Sequence, residues 1–187
     1  ASQTACDHPY FPLRPGNTWT YQSQDMTTTW TVNNVTGDLS NATADMTMDM
    51  GQDATINMQW SCSASGIESY QFGTLGMAGL GDMGTYTVKS NSGAFLLPPA
   101  QLTPGATWDN AYTIDFTFDT GGAGTFTSPV DVADSYIAGA VESITTTAGT
   151  FDALRVDSTG TTTTTTTAGV GGGTFNTSTT FWNNYGV

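Results

Sequence analysis

The pentapeptide Pro15-Gly16-Asn17-Thr18-Trp19 returns 89 positions later as Pro104-Gly105-Ala106-Thr107-Trp108. Each copy follows a Leu- and Pro-containing approach and precedes an alternating, Tyr-containing run. Proline sets φ near about −65° and glycine accepts a positive φ, so each copy reads as a tight turn that launches a strand carrying a large aromatic anchor. The chain therefore reads as two related β-rich halves.

The runs between the turns have period two. Trp30 and Val32, then Met46, Met48 and Met50, then Ile56, Met58, Trp60 and Cys62, and most clearly Tyr112, Ile114, Phe116 and Phe118, put an apolar side chain at every second position. That spacing lays one face of a strand against a core, and the β-branched threonines that fill the polar positions favour strands over helices. Glycine clusters in 73–84, 121–124 and 169–173 interrupt the runs and read as loops or hairpin ends. We expect an all-β antiparallel sandwich or half-barrel with almost no helix. Its core is expected to hold Trp19, Trp30, Trp60, Trp108, Tyr112, Ile114, Phe116, Phe118, Phe151, Leu154 and Val156.

Between the halves, Gly93-Ala94-Phe95-Leu96-Leu97-Pro98-Pro99 is a short apolar strand stopped by a proline pair. It places a boundary near residue 97, with a first half over 1–97 and a second over 98–187. A linker between independent domains would be longer and more polar, so the halves are expected to pack as one body.

The 187 residues hold 3 Lys and Arg against 16 Asp and Glu, a net charge of −13. Nucleic-acid binding needs clustered cations and is excluded as a function class. The same field repels anionic membrane surfaces and attracts divalent cations. No apolar run approaches the roughly 20 residues of a membrane span. The start, Ala1-Ser2-Gln3, is small and polar and reads as the mature end of a secreted chain, so the expected location is extracellular or on the cell surface. Cys6 and Cys62 suit that compartment as a disulfide tying the amino-terminal arm to the first sheet; one buried and one exposed thiol is the alternative, and lipidation of Cys6 a weaker one, since Gln3-Thr4-Ala5 lacks the usual upstream apolar residue.

Catalytic chemistry finds no foothold. The one histidine, His8, lies between Asp7 and Pro9 in the arm and reads as an ordinary exposed residue, far from the rigid setting a Ser-His-Asp triad needs. No enzyme and no organic cofactor are expected. Asp49 and Asp53 around Gly51, and Asp131 and Asp134 in a second acidic loop, offer hard oxygen ligands to calcium, without the EF-hand spacing; solvated loop acids are the alternative. Met46, Met48, Met50 and Met58 offer thioethers of the kind copper takes, but read first as core filling. The sequons at Asn34, Asn41 and Asn176 mark exposed glycosylation candidates, and the threonine tract over 161–167 reads as a polar edge strand or as a glycosylated stalk.

Three stretches carry a family resemblance: Tyr10-Phe11-Pro12-Leu13-Arg14-Pro15-Gly16-Asn17-Thr18-Trp19-Thr20-Tyr21, the pair Trp60-x-Cys62, and the run from Val141 to Val156 with its Ala148-Gly149-Thr150-Phe151-Asp152-Ala153 centre. With the closing Phe181-Trp182-Asn183-Asn184-Tyr185-Gly186-Val187, the chain resembles secreted bacterial proteins of unknown function built on a lipoprotein-carrier-like half-barrel sheet. The resemblance implies a fold and a compartment, and no catalytic residue.

Two functions are expected from this reading. The first is a non-catalytic extracellular module that associates with copies of itself or other surface proteins, as a filament subunit adding strands at sheet edges. Lys89 is the one lysine able to guard an edge, the threonine tract supplies an open one, and residues 1–11 and 174–187 supply segments to lie along a neighbour. The second is a carrier holding a lipid or apolar ligand on the concave face of a half-barrel, which requires an unfilled apolar cavity.

Overall fold

The computed structural model describes residues 3–23, 26–51, 55–70, 84–119, 124–146, 149–165 and 172–184. Twelve strands are defined there: β1 (Asp7–His8), β2 (Phe11–Pro12), β3 (Thr18–Ser23), β4 (Met26–Gly37), β5 (Asn41–Asp49), β6 (Thr55–Ser63), β7 (Gly66–Glu68), β8 (Gly84–Gly93), β9 (Thr107–Asp119), β10 (Thr125–Thr146), β11 (Gly149–Thr164) and β12 (Gly173–Asn184). All pairings are antiparallel between sequence neighbours, giving the β1-β2 ribbon and two five-stranded meanders, β3-β4-β5-β6-β7 and β8-β9-β10-β11-β12. One sheet curls strongly into a half-barrel. Among the described residues there is no helix, and so none long and apolar enough to cross a membrane.

The repeated turn is repeated in three dimensions. Gly16 and Gly105 sit at φ 87° and 86°, where a side chain is strained. The Asn17 N–H donates to the Arg14 carbonyl at 3.0 Å, and the Ala106 N–H to the Thr103 carbonyl at 2.9 Å. Gly16 then donates to the Val32 carbonyl while Val32 donates back to Asn17; Gly105 and Ala138 repeat this exchange with Ala106. Trp19 consequently faces Trp30 across β3 and β4, and Trp108 faces Tyr136 across β9 and β10. Just past Val32 and just past Ala138, each second strand carries a register shift against its next neighbour. Such bulges sharpen the local twist, and here both halves bend at the same place.

Period two governs burial as expected. In β5 the residues Ala42, Ala44, Met46 and Met48 are buried, and in β9 Trp108, Asn110, Tyr112, Ile114 and Phe116. Trp60 is fully buried at the centre of a core that joins both sheets, with Val32, Met46, Met58 and Leu13 on one side and Trp108, Tyr136, Leu154 and Val156 on the other. A second cluster, Tyr112, Ile114, Phe116, Val130 and Val132, fills the far part of the second sheet. Trp19, Trp30 and Phe151 are half-buried rather than buried, and the Phe118 side chain lies outside the described residues. The methionine row, Met46, Met48 and Met58, is buried in the core and Met50 packs against it.

One connection fixes the arm to the first sheet, and another joins the two sheets. Cys6 and Cys62 form a disulfide with Cα atoms 5.1 Å apart, tying the arm to β6 and fitting an oxidising compartment. Ile67 bridges Leu96: the Ile67 N–H donates to the Leu96 carbonyl at 2.9 Å, and the Phe95 N–H to the Ile67 carbonyl at 2.8 Å. The apolar stretch before the prolines is thus a seam between the two sheets.

Three expectations need correction. His8 is buried, at 4% exposure, because its ring bridges the arm to the inter-half segment: Nε2–H donates to the Leu97 carbonyl at 3.0 Å and Nδ1 accepts from the Tyr10 N–H at 3.2 Å. Thr161 to Thr164 are not an edge, since β11 pairs with β10 on one side and β12 on the other. The long open edge is β12. Finally, Asp131 and Asp134 lie within β10 rather than in a loop; three positions apart on an unbroken ladder, they project to opposite faces of the sheet.

A candidate ligand cleft between the sheets

Aromatic side chains from both halves meet in one chain of ring contacts. Tyr21 lies edge-on to Trp30, with centroids 5.6 Å apart, and Trp30 approaches Trp60 at 6.5 Å. Trp60 meets Phe11 at 5.1 Å and Phe95 at 5.2 Å. Phe95 stacks on Phe181 at 5.9 Å and meets Tyr136 edge-on at 6.2 Å. Tyr136 in turn stacks on Trp108 at 5.2 Å. Such pairs stabilise beyond their buried area, which keeps these rings in fixed orientations.

This aromatic arc borders a cleft of about 660 Å³, lined by Phe11, Tyr21, Trp30, Phe95, Tyr136, Phe181 and Trp182, with Val132 and Ile144 beside them. The volume falls within the range of small-molecule sites, about 300–1,000 Å³. Tyr21 and Trp182 remain 50% and 44% exposed, so they form its solvent-facing rim. The Trp182 indole N–H donates to Glu142 Oε2 at 3.2 Å, which ties the β12 rim to β10.

The rest of the lining is polar. Ser158 and Thr162 from β11, Thr177 and Thr179 from β12, and Asn110, Asp134 and Ser69 supply hydroxyl, amide and carboxylate groups. Asp134 reaches this surface because Val130, Val132, Asp134, Tyr136 and Ala138 share one face of β10. Its carboxylate lies over Gly160, its partner in register: a Cβ there would meet Oδ1 at 1.9 Å. The missing side chain makes the room. Tyr136 Oη–H donates to Asp134 Oδ2 at a long 3.4 Å, and the Asn110 side chain hydrogen-bonds the same hydroxyl. Burial pushes the Asp134 carboxyl above its ordinary range, with the Tyr136 hydrogen bond opposing the shift. Burial first, then the nearby Asp134 charge, hold the Tyr136 phenol well above its usual value. Ser69, only 2% exposed, has no hydrogen-bond partner for its hydroxyl among the described residues.

A second hollow of about 510 Å³ lies over Cys62 and is edged by Thr36, Asn41, Thr43, Ser61, Ser63 and Glu68. Beside it Tyr70 donates to Glu68, and the Asn91 amide donates to the Tyr70 hydroxyl at 3.0 Å, linking β7 to β8. It has no comparable aromatic wall.

The remaining sequence candidates are dispersed. Asp49 is exposed and accepts from the Gly51 N–H at 2.8 Å, as in an ordinary turn, while Asp53 lies outside the described residues. Asp131 accepts from Thr113 on the outer face at 2.7 Å. Among the described residues no three Asp, Glu, His or Cys gather as metal ligands. Asn34, Asn41 and Asn176 are all exposed on strands. Comparison with protein-family models, with curated proteins and with solved structures finds no match for this chain.

Proposed function

We propose that this chain is a secreted binding protein that holds a small amphipathic molecule between its two sheets. The observation that carries the reading is the aromatic cleft: seven rings from both halves and the arm border one volume of ligand size. A ligand's apolar body fits against the rings, and its polar end meets the Asn110, Asp134, Ser158 and Thr177 side chains. The disulfide, the net charge of −13 and the three exposed sequons support an extracellular setting, and the half-barrel accords with the lipoprotein-carrier resemblance.

The neutral dye N-phenyl-1-naphthylamine tests it by fluorescence. The parent chain is expected to enhance and saturate the signal at micromolar dye, and Thr179→Trp, which places bulk in the cleft from the edge strand, is expected to lose it. Absence of enhancement in the parent overturns the reading.

A second reading, association by strand addition, has its own support. β12 presents an open edge of 12 residues, Gly173–Asn184, that contains no Lys, Arg or Pro to discourage pairing. Its test is given in the Discussion.

A further inference from the structure

Asp134 is a half-buried acid on the cleft face of β10, and no cation among the described residues pairs with it. The chain's three Lys and Arg side chains are paired elsewhere: Arg14 with Asp7, Lys89 with Asp115, and Arg155 with Glu142 and Asp157. His8 is buried against Leu97. What faces Asp134 is a phenol at 3.4 Å, the buried Asn110 opposite it on β9, the bare backbone of Gly160 with the Thr177 hydroxyl beyond it, and, past Tyr136, the aromatic arc. A carboxylate drawn out of water requires a compensating partner, and the cleft it opens onto, beginning at Tyr136, is bordered by rings whose faces are electron-rich.

We propose that the cleft selects an organic cation, an ammonium group on an apolar body, with Asp134 as its counter-charge and the rings of Tyr136, Phe95 and Phe181 as the surface that receives the alkyl or aryl portion. The inference rests on the cleft being a ligand site and adds the charge of the ligand. A planar guanidinium and a quaternary ammonium both satisfy a carboxylate beside aromatic faces; the ammonium is favoured because Asp134 Oδ1 is packed over Gly160 and Oδ2 accepts from Tyr136, which leaves no free pair of oxygens for a flat two-pronged fork, whereas a quaternary head needs no hydrogen bond. The overall charge of −13 raises the local concentration of such a ligand and speeds its approach. Sodium, which has no apolar body, gains nothing from the rings.

The experiment is competition against bound N-phenyl-1-naphthylamine by three probes of one shape: phenyltrimethylammonium, its neutral carbon analogue tert-butylbenzene, and benzenesulfonate as the anion. The ammonium is expected to compete at least about tenfold better than the neutral analogue, and the sulfonate worst. Asp134→Asn is expected to bring the ammonium-to-neutral ratio to about one, whereas Asp152→Asn, which removes the same charge from the exposed side of β11, leaves the ratio of the parent. Equal competition by all three probes in the parent overturns the cation proposal and leaves the cleft as a ligand site, as does a ratio unmoved by Asp134→Asn. A parent that binds no dye removes both readings.

Discussion

Trp30 and Tyr136 occupy the same position in the two sheets. Each stands directly across the ladder from the tryptophan of the repeated turn, Trp30 from Trp19 and Tyr136 from Trp108, and both border the cleft. The duplication visible as a five-residue repeat thus delivers one aromatic ring from each half to a shared surface. What differs is the support behind them: Trp108 is buried and stacks on Tyr136, whereas Trp19 is half-buried and stacks on Phe11 at 5.4 Å.

Equivalent frames should respond equally to equivalent damage. At Gly16 and Gly105 an added Cβ meets nothing within 4 Å, so alanine there costs only the strain of positive φ. Gly16→Ala and Gly105→Ala are each expected to lower unfolding free energy by about 1–2 kcal/mol, with similar values for the two. Urea titration measures this; a large difference between them contradicts the equivalence.

The disulfide closes a span of 56 positions between Cys6 and Cys62. In the chain-entropy account its removal by the double replacement Cys6→Ser, Cys62→Ser lowers stability by about 4 kcal/mol. A shift of the urea midpoint under about 1 kcal/mol would mean that the arm is held by Phe11, Leu13 and His8 alone.

Burial lowers the pKa of His8, against the Leu97 hydrogen bond that raises it. The unfolded chain therefore binds this proton more readily than the folded one, and stability rises with pH across the interval. The contribution is full above about pH 6.5 and is lost as pH falls toward the folded value. Thermal midpoints of the parent should drop between about pH 7.5 and 5, and His8→Gln, which keeps a donor for Leu97, should flatten that drop.

Asp134 has the opposite sign. Its raised folded pKa means that the folded chain holds the proton more tightly, so the contribution of this group is full below about pH 3.9 and is lost as pH rises through the folded value. Asp134→Asn is expected to be more stable than the parent near pH 7, with the gap closing on acidification. A variant that is less stable at neutral pH would assign the carboxylate a structural partner.

The edge reading of β12 predicts self-association of the parent at high concentration. Asn176→Lys together with Ser178→Lys, at two exposed positions of that edge, should return the chain to a monomer in sedimentation velocity. A parent that stays monomeric defeats the reading without the variants.

Much of this fold was legible because β structure writes itself with period two: the rows Ala42 to Met48 and Trp108 to Phe116 alternate in the chain as they do in space. The same alternation held the signal for the cleft's acid. Val130, Val132, Asp134, Tyr136 and Ala138 form one row, and following it places Asp134 on the apolar face; the short motif Asp131-Val132-Ala133-Asp134 suggested a loop instead. His8 was illegible for a different reason. Its sequence neighbours Asp7 and Pro9 are local, whereas the carbonyl that receives its proton belongs to Leu97. The threonine tract resembles an edge by composition, and only the order β10-β11-β12 gives it a partner on each side.

The bridge between Ile67 and Leu96 also sets a timetable for a chain made from its amino terminus. β7 is three residues long, and its outer side is closed by a segment that precedes the second repeated turn. While the first sheet emerges during synthesis, that side stays open until Leu96 has left the ribosome, so the growing chain passes through a stage with exposed backbone donors beside Ile67. The segment that leads into the second turn is thereby a finishing partner for the first sheet, and the interval before it arrives is when a misplaced strand from another nascent copy competes for the same groups.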